Sequence, residues 1–122
     1  MEVVRFNEME EFNTPEGIMK PLFVSEKIVV IHLKIPTGLK VEPHSHSRDG
    51  IMILIKGKVR LISNDVDLKV YDLVYIPVNF KIGLECKEEA EAILISIEPG
   101  YKSLEELKSI LKRFEVKLEV IE

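Results

Sequence analysis

Two of the three histidines in this sequence stand two residues apart, in Pro43-His44-Ser45-His46. In an extended segment, residues at that spacing project from one face with Cα atoms about 6.6 Å apart. Two imidazoles so placed can converge on one ion, because a zinc–nitrogen bond is only about 2.0–2.1 Å long. Pro43 fixes φ just ahead of the first ring and stiffens the backbone there. A pair of solvated loop histidines is the competing reading of the same spacing. His32 lies mid-run among apolar residues and reads as a hydrogen-bonded wall histidine rather than a ligand. Glu42 shares strand parity with His44 and reads as an exposed loop glutamate. No motif sets a Ser/His/Asp or Cys/His pair for covalent catalysis, so the chemistry on offer is that of a bound ion.

The elements that must position these rings are mostly strands. Ile28 to Ile35 is β-branched and stops at Pro36-Thr37-Gly38, a turn in which Pro fixes φ and Gly permits positive φ. Gly50 to Ile55 meets Lys56-Gly57-Lys58 and resumes as Val59 to Ile62, which predicts a hairpin. Asn64-Asp65 marks the next turn. Val66 to Val70, Leu73 to Ile76 (ended by Pro77), Phe80 to Cys86 and Ala92 to Ile97 follow, and Pro99-Gly100 closes the series. Short strands at this spacing predict an all-β sandwich or barrel, with roughly eight strands between about Ile18 and Glu98. Ser103-Leu104-Glu105-Glu106 is a capping box opening a helix over about 103–114, with Leu104, Leu107, Leu111 and Phe114 on one face. Lys108, Lys112 and Arg113 read as its solvated side, in the half that the helix dipole favours for cations. Val116 to Val120 alternates with period two and predicts a terminal strand, and Val3 to Phe6 an initial one.

Composition limits what this scaffold does. The chain has 122 residues, enough for a single domain over 1–122, with 46% apolar and 31% charged residues. Lys+Arg number 17 against 21 Asp+Glu, a net charge of −4 with signs interspersed, which argues against nucleic acid as a partner. The longest apolar runs are of the length of Ile51 to Ile55, so no bilayer-spanning segment is expected. The acidic first residues lack the features of a secretory signal, and the lone Cys86 fits a reducing compartment, so a cytoplasmic location is expected. Abundant Ile, Val, Leu, Glu and Lys, with no Gln or Trp, resemble the bias of hyperthermophile proteins. Both faces of Ile51 to Ile55 are apolar, so both need cover, and a homodimer is the expected partner arrangement.

The frame Gly38, five residues, His44-Ser45-His46 and then Gly57 resembles the first motif of the cupins, G-x5-H-x-H-x3,4-E-x6-G. Tyr71 to Pro77 is similar, more distantly, to the second motif, G-x5-P-x-G-x2-H-x3-N. The resemblance covers roughly Lys27 to Glu98. It implies a small jelly-roll barrel, commonly dimeric, with a divalent metal (Zn, Mn, Ni or Fe) inside its mouth. The motif's Glu falls on Gly50, its third His on Ile82 and its Asn on Cys86, so two of four expected ligands are kept, His44 and His46. The resemblance therefore implies a degenerate metal site, one short of the three protein ligands of catalytic zinc. Asp49, beside the vacant Glu position, and Cys86 are the candidate additional ligands; an exposed turn aspartate and a small buried hydrophobe are the plain alternatives. Phe80, Ile82 and Leu84 share a strand face with Cys86, and with Met52 and Tyr75 they are the expected pocket wall. Apolar side chains of this kind either line a small-molecule pocket or fill the barrel outright.

The resulting expectation is a cupin-like protein that binds a divalent metal through His44 and His46 and binds or acts on a small molecule in the barrel. A metal-free binding or sensing module, or a purely structural dimeric barrel, is the alternative.

Overall fold

The computed structural model describes residues 1–121, and the side chains of residues 1–113. Ten strands run from Phe12 to Ile97 and a helix follows. They are β1 (Phe12–Thr14), β2 (Gly17–Val24), β3 (Ile28–Ile35), β4 (Lys40–His44), β5 (Gly50–Lys56), β6 (Val59–Leu61), β7 (Val66–Leu68), β8 (Leu73–Ile76), β9 (Ile82–Glu85) and β10 (Ala90–Ile97). Two antiparallel sheets face each other as a jelly-roll sandwich: β1-β2-β3-β10-β5-β8 and β4-β9-β6-β7. Leu33, Ile35, Met52, Leu54, Val59, Leu61, Leu68, Leu84, Ala90 and Ala92 pack between them as the main core.

The inward parity explains which residues are buried. On β5, Met52 and Leu54 are 2% and 0% exposed, whereas Ile51, Ile53 and Ile55 turn outward and are half-buried. Their register partners, Ile95 and Ile93 on β10 and Tyr75 and Leu73 on β8, continue that apolar outer face. At the other end of the same face the N-terminal segment provides cover. Phe6 packs edge-on against His32, with ring centroids 4.8 Å apart, and the Lys20 ammonium sits 3.7 Å from the Phe6 ring centroid. His32 is the wall histidine expected of it, held to Glu91 Oε1 at 2.7 Å.

Three expectations need correction. The chain around Gly57 is a corner, not a hairpin: β5 pairs with β8 and β10, while β6 pairs with β7 and β9. Gly57 has φ +81°, and a Cβ there would lie 2.4 Å from the Glu89 carbonyl oxygen, so the crossing between sheets demands glycine. Residues 3–6 form no strand; a single 3-10 turn, Phe6–Glu8, lies there. The helix α1 is Leu104–Ile121, so the expected terminal strand over 116–120 is helical. The sequence offers no Gly or Pro to stop it, and Leu107, Leu111, Phe114, Leu118 and Ile121 keep helical spacing as well as the local alternation does.

Ser103 caps α1 by accepting from the Glu106 amide at 3.2 Å, and the Glu106 carboxylate accepts from the Lys102 amide at 2.9 Å. Leu107 and Leu111 are buried with Phe12 and Val29 in a second core cluster, beside Tyr101. Among the described residues no helix is long and apolar enough to cross a membrane.

Candidate metal centre

His44 ends β4, and the backbone there is set by a close approach. Its strand neighbour β9 carries Gly83, where a Cβ would lie 2.7 Å from the Pro43 nitrogen. Glycine lets the two strands come together, and the register skips between Val41 and His44, so His44 lands opposite Ile82. Beyond β4 the loop with His46 is braced by the Pro77–Asn79 turn. The Asn79 amide donates to the His46 carbonyl at 3.0 Å, and the Val78 amide donates to Asp49 Oδ1 at 2.8 Å.

The two imidazoles converge, with ring centroids 4.7 Å apart and planes inclined at 57°. A third group joins them that sequence reasoning missed. Glu16 sits in the turn between β1 and β2, where the Thr14 hydroxyl accepts from the Glu16 amide at 3.2 Å and donates to the Gly17 carbonyl at 2.8 Å. One ligand atom each from Glu16, His44 and His46 lie within 4.8 Å of one another. The only sequence signal is an acidic residue in a Pro15–Gly17 turn, and nothing local ties that turn to a histidine of the opposite sheet and another in the loop after it.

The tautomer of His44 is set by its backbone contact. Its Nδ1 lies 3.0 Å from the Glu42 carbonyl oxygen, an acceptor, so Nδ1 carries the proton and donates. That leaves a lone pair on Nε2 when the ring is neutral, the arrangement by which metal-binding histidines fix their tautomer. Nε2 is 2.6 Å from Glu16 Oε1 but out of alignment with it, and this buried nitrogen has no hydrogen-bond partner. Two imidazoles and one carboxylate match the donor set of catalytic zinc or of non-haem iron sites, both of which leave coordination positions open.

A cavity of about 210 Å³ opens beside these groups, between the sheets. Leu33, Met52, Ile76 and Leu94 form one wall, Val41, Ile82 and Leu84 the other, and Arg48, Pro99 and Tyr101 stand at the same cavity. Of the expected pocket wall, Met52, Ile82 and Leu84 line it. Tyr75 and Phe80 do not: they are 55% and 41% exposed. Tyr75 has the outward parity of Ile51, its register partner, and Phe80 lies in the turn ahead of β9.

The two candidate additional ligands lie outside the Glu16–His44–His46 cluster. Asp49 pins the turn at Val78, and hydrogen bonding to that carboxylate, followed by desolvation and by its charge, pushes the neighbouring Tyr75 phenol above its ordinary pKa. Cys86 is buried in the main core, and its thiol donates to the Pro36 carbonyl at 3.2 Å. Burial pushes that thiol up, against the opposing hydrogen bonds from the Gly38 and Leu39 backbone.

The architecture has close counterparts among solved structures. An RmlC-like cupin from Shewanella frigidimarina superposes with a TM-score of 0.71 over 80% of this chain and 92% of its own, at 17% identity. This chain has the cupin fold. KdgF from Halomonas sp. matches at TM-score 0.68 and 20% identity, covering 80% of this chain and 94% of KdgF. The polyketide cyclase RemF from Streptomyces resistomycificus matches at TM-score 0.70 and 12% identity over 85% of each chain. No protein-family model and no curated protein matches the sequence. Against the cupin motif, Glu16 offers a carboxylate from a different part of the chain from the motif's Glu position, which here is Gly50.

Proposed function

We propose that this cupin binds a divalent metal ion through Glu16, His44 and His46, and that the ion acts on, or orients, a small molecule held in the adjoining cavity. The observation that carries this reading is His44 Nε2: buried, without a hydrogen-bond partner, and off-axis from the carboxylate 2.6 Å away. A divalent ion at such a site supplies Lewis acidity toward an oxygen of the bound molecule or toward water. The protein's own parts have separate tasks. The Glu42 carbonyl holds the His44 tautomer, the Asn79 amide fixes the His46 loop, and the walls of Met52, Ile82 and Leu84 keep water away from the reacting face. The similarity to RemF, a cyclase by name, fits a catalytic use of the fold but does not select a reaction.

A second reading rests on the same contact. A protonated His44 facing Glu16 is an ion pair, and the cavity is then a ligand-binding pocket without an ion. Such a pair aligns the N–H with the carboxylate oxygen, which this one does not, so the metal reading is preferred. Elemental analysis of protein purified without chelator decides between them. We expect near-stoichiometric metal in the native chain and its loss in H44A/H46A. A native chain that stays metal-free after incubation with zinc, manganese, nickel or iron overturns the proposal. We further propose that a second copy of the chain covers the apolar outer face of β5, β8 and β10.

A further inference from the structure

The metal reading leaves one charged group at the cavity unassigned. Arg48 follows His46 by two residues, stands solvent-exposed at the mouth of the cavity, and among the described residues has no carboxylate within ion-pair distance. Its Nη2 lies 3.6 Å from the Cβ position of Gly100, so the side chain reaches from the histidine loop toward the segment that follows β10. We infer, building on the proposed metal site, that the ligand is a small monocarboxylate with a short apolar body, its carboxylate gripped by Arg48 and its body lodged between Met52, Ile82 and Leu84.

Charge, shape and size each support this. Among the described residues, Glu16 and Arg48 are the lining residues with a permanent charge, and they cancel. A divalent ion held by Glu16 and the histidines therefore leaves the site at +2, a charge that favours an anion at the cavity mouth, where His46 and Arg48 are exposed to water and the attraction is partly screened. A guanidinium presents two parallel N–H donors that match the two oxygens of a carboxylate. Phosphate also fits an arginine fork, and a site at +2 would balance its dianion, but it has no apolar body to cover the walls of Met52, Ile82 and Leu84. At about 210 Å³ the cavity lies below the range of roughly 300–1,000 Å³ usual for drug-sized ligands, so the molecule is small.

The test uses butyrate, its neutral isostere butyramide, and inorganic phosphate as probes of the full chain, with zinc content measured first. In zinc-loaded protein, calorimetry is expected to show butyrate binding at least tenfold tighter than butyramide or phosphate. R48Q should weaken butyrate tenfold or more with zinc content unchanged, and R48K, which keeps the charge but not the fork, should fall between. Equal binding of butyrate and butyramide, tighter binding of phosphate, or butyrate affinity indifferent to R48Q overturns the inference. The two readings fail separately. A chain that takes up no zinc yet binds butyrate through Arg48 refutes the metal site and keeps the carboxylate site; a zinc-loaded chain indifferent to Arg48 does the reverse.

Discussion

Replacing Ile82 by histidine is the sharpest probe of the centre. Ile82 is the register partner of His44 across β4 and β9, is 7% exposed, and lines the cavity. Directly opposed residues have Cβ atoms about 4.5–5.5 Å apart, so an imidazole at this position stands within reach of the same point as His44. The substitution has two effects of opposite sign. Without metal, a largely buried ring loses hydrogen-bonding water, at about 1–3 kcal/mol, and the aliphatic burial of isoleucine goes with it. At roughly 3–5 °C per kcal/mol for a domain of this size, the metal-free protein should melt about 10 °C lower. With metal, the new ring is a fourth protein ligand. Structural zinc sites bind with about 10–16 kcal/mol, or about 2.5–4 kcal/mol per ligand if four share equally. Displacing a bound water and imperfect geometry reduce this, so at least a tenfold gain in zinc affinity is expected, where about 1.4 kcal/mol is tenfold. The assay is competition against a chromogenic chelator, with circular dichroism confirming the fold of the metal-free variant. A folded I82H chain whose zinc affinity stays within about twofold of the parent refutes the geometry proposed for the centre.

Two other consequences are open to measurement. Burial alone would raise the Glu91 carboxyl, but the hydrogen bond and charge of His32, with Lys56 and Lys34, outweigh it and hold the group below its ordinary pKa of 4.5. The folded state therefore gains stability from ionised Glu91 at neutral pH, and that gain fades as pH falls through the lowered pKa. E91Q should cost about 1–2 kcal/mol in urea unfolding at pH 7, and its difference from the parent should shrink toward pH 3; a constant difference refutes the pairing. For the outer face of β5, β8 and β10, light scattering at micromolar concentration should report twice the 14.0 kDa chain mass, and a charged residue in place of Leu73 should shift it toward monomer; a parent chain at monomer mass refutes the dimer.

The parts of the fold legible in the sequence are those whose signals are local. β3 and β8 match their expected spans, Ile28 to Ile35 and Leu73 to Ile76, because β-branched runs end there at Pro36 and Pro77. β2 and β4 each carry a proline, which ordinarily argues against a strand. Pro21 and Pro43 are tolerated because each sits at a register irregularity, between Pro21 and Phe23 and between Val41 and His44. The crossover at Gly57 was unreadable for a different reason: a tight glycine corner between two apolar runs has the same local chemistry whether the runs pair or part. In the centre, His44 and His46 were legible because their spacing is their geometry. Glu16 was not, since only the pairing of β1 with β2 and the packing of the two sheets bring its turn to them. Alternation fixes which way a side chain points within a strand, which serves for Met52, Ile82 and Leu84 but not for Tyr75, on the outer parity of β8, or for Phe80, in the turn ahead of β9.

Glu16 belongs to a turn of the six-stranded sheet, and His44 to a strand of the four-stranded one. An ion shared by them would rivet the sandwich across its open end, a non-covalent cross-link joining distant stretches of chain. Loading and removal would then tune how readily the two halves breathe apart, and hydrogen exchange in β1, β2 and β4 should slow together when the rivet is in place.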